Sequence, residues 1–116
     1  MIKVYIASPF TIGNKTENVN RQIETASILI DHGVCAIWPL ASYYIDKQYP
    51  KPYETWMDQD FALLEMCDVL LRLDGESEGA DREVNHAIAN NIDCFFDLDE
   101  LLWYIDKEYR CHDRGV

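Results

Sequence analysis

Short apolar runs alternate with helical apolar stripes along this chain. Residues 2–7 are rich in β-branched side chains and stop at Ser8-Pro9, which predicts a strand. Three further strands are predicted over 34–38, 68–73 and 92–96, each bounded by turn residues. Helices are predicted over 18–32, 53–66, 81–90 and 98–109, where apolar residues recur at helical spacing.

The alternation of strands and helices predicts an α/β fold. We expect a single-domain three-layer sandwich around a mostly parallel sheet of about four or five strands. Right-handed crossovers leave few topologies, so a flavodoxin-like or Rossmann-like strand order is the natural one. We assign residues 1–110 to this domain and 111–116 to a frayed tail. Residues 40–52 are predicted to be a ligand-covering loop, because so long a connection is uncommon in a compact domain.

Residues 67–83 are the most chemically distinctive segment. They read as a buried strand, a turn of small residues and the first turn of a helix, and the turn presents Ser77, Gly79 and Glu83. Ser8 and Pro9, after the first strand, reach the same carboxyl edge of the sheet, where ligands usually bind in α/β proteins. Taken singly, a serine commonly forms turns and a glutamate commonly starts a helix, so the spacing alone is a weak motif.

Asp60 is the second unusual residue. It falls in the middle of the apolar face of the helix over 53–66, three residues after Met57 and four before Leu64. A carboxylate there is costly unless it has a partner or lines a cavity. Two interpretations remain open: a buried ion pair with Arg21 or Arg72, or a catalytic or base-binding acid in the wall of a pocket.

Composition narrows the range of partners. The net charge of −11 argues against nucleic acid as a partner. A single nucleotide is compatible with it, because a helix N-terminus can hold one phosphate. The four cysteines form no Cys-x-x-Cys pair, and no metal-ligand spacing occurs, so we expect no metal and no cofactor. Reduced cysteines favour a cytoplasmic location, and we predict no signal peptide or membrane span.

The order and spacing of these segments resemble the nucleoside 2-deoxyribosyltransferase superfamily, which includes 2'-deoxynucleoside 5'-phosphate N-hydrolases and cytidylate N-ribosidases. Residues 4–10 resemble the opening strand and turn of that family, and residues 77–84 resemble its Ser/Gly turn and nucleophile helix. Between them, Asp60 precedes Asp68 by eight residues, as the resemblance requires.

The resemblance implies a role for each matching residue. Glu83 would be the nucleophile, Asp60 the acid that handles the leaving base, and Tyr5 a residue that positions the substrate or Glu83. It also implies substrate contacts from the two turns, at Ser77, Gly79, Ser8, Pro9 and Phe10, with Ser77 on a 5'-phosphate where the substrate has one. Trp38 is a candidate for stacking on the base, the alternative being ordinary packing.

We therefore expect an N-glycosidase, a hydrolase, or else a deoxyribosyltransferase, acting on a nucleotide or nucleoside through a carboxylate nucleophile. The resemblance also implies a homodimer or a dimer-based assembly. The alternative is a non-catalytic nucleotide-binding or sensing module on the same fold. The turn motivates that alternative, because Glu76, Glu78 and Asp81 would oppose a phosphate dianion.

Overall fold

The computed structural model describes residues 1–109. Its strands are β1 (Lys3–Ala7), β2 (Cys35–Ile37), β3 (Val69–Arg72) and β4 (Asp93–Phe95). Its α-helices are α1 (Lys15–Asp31), α2 (Ser42–Gln48), α3 (Tyr53–Leu64), α4 (Glu78–Ala89) and α5 (Leu98–Tyr104). A 3₁₀ turn over Pro39–Ala41 precedes α2, and a π-helical turn over Ile105–Tyr109 follows α5.

The strands form one parallel sheet in the order β2-β1-β3-β4. This confirms the predicted α/β class with a parallel sheet. The chain first adds β2 on one side of β1 and then crosses to add β3 on the other side. The strand order therefore reverses between β1 and β3, and a reversal of this kind opens a crevice at the carboxyl ends of the two strands.

Both faces of the sheet are covered by helices. In β1, Val4 and Ile6 enter one apolar cluster, which α1 and α5 complete, while Tyr5 and Ala7 enter a second cluster with α3 and α4. The period of two along a strand accounts for this division. Tyr5 therefore faces away from Val4 and Ile6.

Helix α1 buries a different stripe from the one its apolar residues suggest. Ile23 and Ile30 recur at helical spacing with Val19 and Ala26, yet they are 44% and 51% exposed. The buried positions belong to a stripe rotated around the helix, and they are Val19, Gln22, Thr25, Ala26 and Leu29. A glutamine can occupy that stripe because each polar end of its side chain has a hydrogen-bond partner.

The prediction of one loop over 40–52 is wrong. Most of the segment is helical, since the 3₁₀ turn starting at Pro39 leads directly into α2, which ends at Gln48. No glycine or proline interrupts residues 40–49, and Pro50 and Pro52 then separate α2 from α3. Within 1–109, no helix is long and apolar enough to cross a bilayer. The predicted tail over 111–116 lies outside the described residues.

Candidate active site

A cavity of about 280 Å³ opens at the carboxyl ends of β1 and β3. This volume is near the lower end of the range for small-molecule sites, roughly 300–1,000 Å³. Its walls come from the turn after β1, from α2, from one face of α3 and from the start of α4. The side chains that line it are Ser8, Phe10, Thr11, Lys15, Leu40, Ser42, Tyr43, Asp46, Lys51, Tyr53, Trp56, Met57, Asp60, Ser77, Gly79, Ala80 and Glu83.

Two carboxyl groups meet in this cavity. Glu83, on the second turn of α4, is 6% exposed, and its side chain is hydrogen-bonded to that of Asp60 on α3. The hydroxyl group of the fully buried Tyr5 donates a hydrogen bond to Oε2 of Glu83. Three elements that are distant in sequence thus converge on one pair of acids, with Tyr5 behind it and the cavity in front.

Burial shifts the titration of all three groups. The pKa of Glu83 rises to about 8, first because burial removes hydration and second because the Asp60 charge is near, while the hydrogen bond from Tyr5 opposes the rise. Burial also raises the pKa of Asp60 to about 6, whereas its hydrogen bond with Glu83 lowers it. Burial, followed by the Glu83 charge, lifts the pKa of Tyr5 well above its usual range, so Tyr5 remains a donor. The two acids therefore titrate as a pair that shares one proton near neutral pH.

The two arginines considered as partners for Asp60 are engaged elsewhere. Arg21 forms an ion pair with Asp74 at the surface. Arg72 is buried and holds the turn that precedes α4, donating to the carbonyl oxygen of Gly75 at 2.8 Å and to the carboxylate of Asp81 at 3.0 Å. Asp60 is therefore paired with Glu83 rather than with either arginine.

Ser77 is the N-cap of α4. Its Oγ accepts a hydrogen bond from the backbone N–H of Ala80 at 3.0 Å, and the helix begins at Glu78 rather than at the predicted residue 81. The first turn of α4, with Gly79 and Ala80, therefore lines the cavity. Its free N–H groups and the positive end of the helix dipole can receive an oxygen-rich or anionic ligand group.

Ser8 reaches the cavity from the end of β1 and is held by a residue that sequence analysis missed. Gln22 donates from Nε2 to Oγ of Ser8 at 2.8 Å and to the carbonyl of Ile6 at 3.1 Å. Its Oε1 accepts the backbone N–H of Leu40 at 2.9 Å. One buried amide therefore joins the β1 wall to the segment that leads into α2. The feature that could have pointed to Gln22 is its position as a polar residue within the stripe that α1 buries.

The wall built by α2 was also missed. Asp46 accepts hydrogen bonds at Oδ1 from the backbone N–H of Lys51 at 2.9 Å and from Nε1–H of Trp56 at 2.8 Å. Lys15, Lys51 and Tyr43 line the cavity beside it. The sequence carried little signal for this wall, because Asp46 lies in a segment that was predicted to be a loop.

The remaining predicted residues divide into two groups. Phe10 lines the cavity and contacts Tyr43 edge-on, with ring centroids 5.4 Å apart. In the described structure of residues 1–109, neither Pro9 nor Trp38 lines the cavity. Pro9 packs against Gly75, where φ is +114° and an added Cβ would stand 2.9 Å from Pro9 Cγ, so Pro9 supports the turn instead. Trp38 follows β2 and is 42% exposed.

No group of three histidine, cysteine, aspartate or glutamate side chains is placed to hold a metal ion within the part of the chain that the structure describes. The carboxyl groups of Asp60 and Glu83 can offer a ligand a proton and carboxylate oxygens. Such groups take part in acid–base and nucleophilic catalysis.

The fold places the chain in a class of α/β proteins that includes a deoxyribosyltransferase. A solved structure of the 2-deoxyribosyltransferase from the psychrotolerant bacterium Bacillus psychrosaccharolyticus, a biocatalyst for the synthesis of antiviral and antitumoral nucleosides, superimposes with a TM-score of 0.61. The alignment covers 86% of this chain and 90% of that one at 15% identity, which establishes a likeness of fold. Residues 2–96 match a family described as Domain of unknown function (DUF7768), and the chain belongs to that family. A comparison with curated proteins finds no match.

Proposed function

We propose that this protein cleaves the N-glycosidic bond of a nucleoside or nucleotide through a carboxylate nucleophile, as a hydrolase or a deoxyribosyltransferase. The observation that carries the proposal is the hydrogen-bonded pair of Asp60 and Glu83 in the cavity at the strand-order reversal. The resemblance of residues 4–10 and 77–84 to the deoxyribosyltransferases, and the likeness of fold to one of them, support the same chemistry.

A pair of acids with one shared proton supplies both groups that this reaction needs. Glu83, with the Tyr5 hydroxyl donating to it, bonds to the anomeric carbon as the C–N bond breaks. The electron pair of that bond goes to the base, which takes up the proton of Asp60. Water, or a second base in a transferase, then attacks the anomeric carbon, gives a proton to Asp60 and releases Glu83. The oxocarbenium-like character of both transition states favours a carboxylate beside the sugar.

The substrate has to separate the two acids. Carboxyl groups that share a hydrogen bond lie closer than the roughly 5–5.5 Å spacing of retaining glycosidases. Entry of a sugar between Asp60 and Glu83 would break their hydrogen bond and leave the proton on one of them. The Tyr5 hydrogen bond stabilises ionised Glu83, so it favours the arrangement in which Asp60 keeps the proton.

Substrate binding is proposed to involve the two turns at the cavity. Ser77 and Gly79, at the start of α4, would receive the sugar or its 5'-phosphate, and Ser8 would contact it from the end of β1. Phe10 would pack against the ligand from the same turn as Ser8. Since Pro9 and Trp38 do not line the cavity, no direct contact is proposed for them.

A second candidate function is nucleotide binding without turnover. Burial favours the protonated form of Glu83 in the free protein at neutral pH, and a protonated carboxyl is a poor nucleophile. The exposed acids Glu76, Glu78 and Asp81 also surround the turn before α4. A binder would hold its ligand tightly and release no base, whatever residue occupies position 83.

Base release tests the proposal. The protein at high concentration is incubated with ribo- and deoxyribonucleosides and their 5'-monophosphates, and free base is measured by chromatography. We expect release from at least one ligand, and a mass increase on Glu83 when a 2-fluorinated sugar analogue is used to trap the intermediate. No release from any ligand, or trapping at another residue, would reject the mechanism. A second base added to the reaction separates a transferase, which forms a new nucleoside, from a hydrolase.

We also propose that the protein works as a cytoplasmic homodimer, as the resemblance implies. Phe96 and Trp103, near the edge strand β4, are 62% and 59% exposed, and such aromatic side chains are common at interfaces. Light scattering during size exclusion would give twice the mass of the chain for a dimer, and a monomer mass would reject this part of the proposal.

A further inference from the structure

The cavity has a second polar end, away from the acid pair. Within the described residues, the two hydrogen bonds to the Asp46 carboxylate, from Lys51 N–H and Trp56 Nε1–H, end on the same oxygen, Oδ1. The lone pairs of Oδ2 therefore remain for a ligand. The same two hydrogen bonds, that of Lys51 first, lower the pKa of Asp46, so the group stays an acceptor that carries no proton.

Aromatic side chains surround this acceptor. Trp56, Tyr43 and Phe10 line the cavity with Asp46, and they offer faces and edges against which a flat ring can stack. Trp56 lies one helical turn before Asp60 on α3, so both side chains are on the same side of that helix. A ring that contacts Trp56 is thus adjacent to the acid pair at one edge and to Asp46 at the other.

We propose that Asp46 is a specificity-determining residue that selects bases presenting an amino group to it, as cytosine and adenine do, over those presenting a carbonyl, as uracil and hypoxanthine do. The proposal rests on the proposed function, because it takes the ligand to be a nucleoside or nucleotide. An amino group donates to the carboxylate, whereas a carbonyl oxygen would place two acceptors against each other.

The lysines beside Asp46 are consistent with this role. Lys15 and Lys51 line the cavity, and their charges favour the ionised form of Asp46. They therefore reduce the electrostatic cost of a carboxylate in a cavity that already holds two acids. If the lysines were instead the recognition groups, the carbonyl bases would bind more tightly, since an ammonium group is a donor.

Calorimetry on the Glu83→Gln protein, in which we expect no cleavage, tests the proposal. The probes are cytidine against uridine and adenosine against inosine, each also as the 5'-monophosphate. We expect the amino member of each pair to bind at least about tenfold more tightly. Adding Asp46→Asn should reduce the ratio to about twofold or less, since the amide nitrogen, which is a donor, then takes the place of Oδ2. The amide oxygen can still accept from Lys51 and Trp56, so the wall is retained.

The matched control is Asp58→Asn, which removes an exposed acid from the same helix, α3, and should leave the ratio unchanged. Equal binding of both members, tighter binding of the carbonyl member, no binding at all, or a ratio unaffected by Asp46→Asn would each overturn the proposal. Base release by the wild-type protein is scored separately. Cleavage without a base preference rejects the role of Asp46 and supports the proposed glycosidase activity. A base preference without cleavage supports the role of Asp46 and rejects the glycosidase activity.

Discussion

The two faces of the sheet are built from the same strands but differ in what they bury. On the face covered by α1 and α5, the cluster around Val4, Ile6 and Leu71 consists of apolar side chains. On the face covered by α3 and α4, Tyr5 and Leu70 occupy the neighbouring positions, and Tyr5 is bonded to a buried glutamate. Neighbouring residues of β1 therefore face two different environments, an apolar core on one side of the sheet and a buried pair of acids on the other.

The difference shows where this small domain gains stability and where it gives some up. A filled apolar face gains about 25 cal/mol for each Å² removed from water. The other face buries Glu83 beside Asp60, and burial of two acids raises both pKa values because the charged forms lose hydration. The cost is tolerable because Tyr5 supplies a hydrogen bond and one shared proton removes a charge.

The largest expected effect is the loss of activity on replacing Glu83 by glutamine. The variant keeps the size and the hydrogen-bonding capacity of the side chain but cannot form the glycosyl ester, so base release should fall about 10³-fold or more. Steady-state rates on the best substrate of the panel measure it.

Asp58→Asn is the matched control, because Asp58 is an exposed acid on α3, the helix that carries Asp60. It should retain base release within about twofold. Equal activity of the Glu83→Gln and wild-type proteins would remove the functional distinction between the two faces.

The opposite face should respond in stability rather than in activity. Leu71 is fully buried in the cluster that α1 and α5 complete, so Leu71→Ala should lower the free energy of unfolding by about 2–5 kcal/mol. Urea titration measures this change, and KM and kcat at a temperature where the variant is folded should remain close to the wild-type values. A loss of activity in the folded variant would show that the two faces are coupled.

Much of this division could be predicted from the sequence. The alternation of Val4, Tyr5 and Ile6 places them on opposite faces, and Asp60 was conspicuous because a carboxylate interrupted an apolar stripe. The turn over 77–83 was recognisable because strands of this class end where ligands bind. In each case the residue types or their spacing mark a position within a short segment, and such a local pattern can be recognised in the sequence alone.

The rest depended on contacts between distant segments. Gln22 and Asp46 are ordinary polar residues by their local pattern, and their importance comes from partners 18 and 10 residues away, at Leu40 and Trp56. Trp38 was a candidate for stacking on the base because of its residue type, yet it follows β2 and does not line the cavity. The spacing of apolar residues along the chain cannot predict which side chains a turn or a crossover brings together.

The acid pair should also give the face covered by α3 and α4 a pH-dependent stability. A carboxyl whose pKa rises on folding, here from 4.5 to about 8 for Glu83, stabilises the folded state fully below the lower value, and that contribution is lost as the pH rises to the higher value. The wild-type protein should therefore lose stability relative to Glu83→Gln between about pH 4.5 and pH 8. The change in their difference should be on the order of 5 kcal/mol, because a tenfold change in proton affinity corresponds to about 1.4 kcal/mol. Urea titrations of both proteins across this range measure it, and parallel pH profiles would show that Glu83 is not buried as an acid.

The smallest effect concerns the start of α4, where stability and binding should move in opposite directions. A Cβ at Gly79 would lie 3.1 Å from the hydroxyl oxygen of Tyr53, a half-exposed side chain that can shift by a few tenths of an ångström. Gly79→Ala should raise the free energy of unfolding by roughly 0.5 kcal/mol, because alanine favours helix. It should also raise KM several-fold, because the added methyl group narrows the cavity over the N–H groups of the first turn. Thermal unfolding and initial rates, each compared with Ala80→Gly on the same turn, measure the two changes. A lower stability with an unchanged KM would place Gly79 in the packing of α3 on α4 rather than in the site.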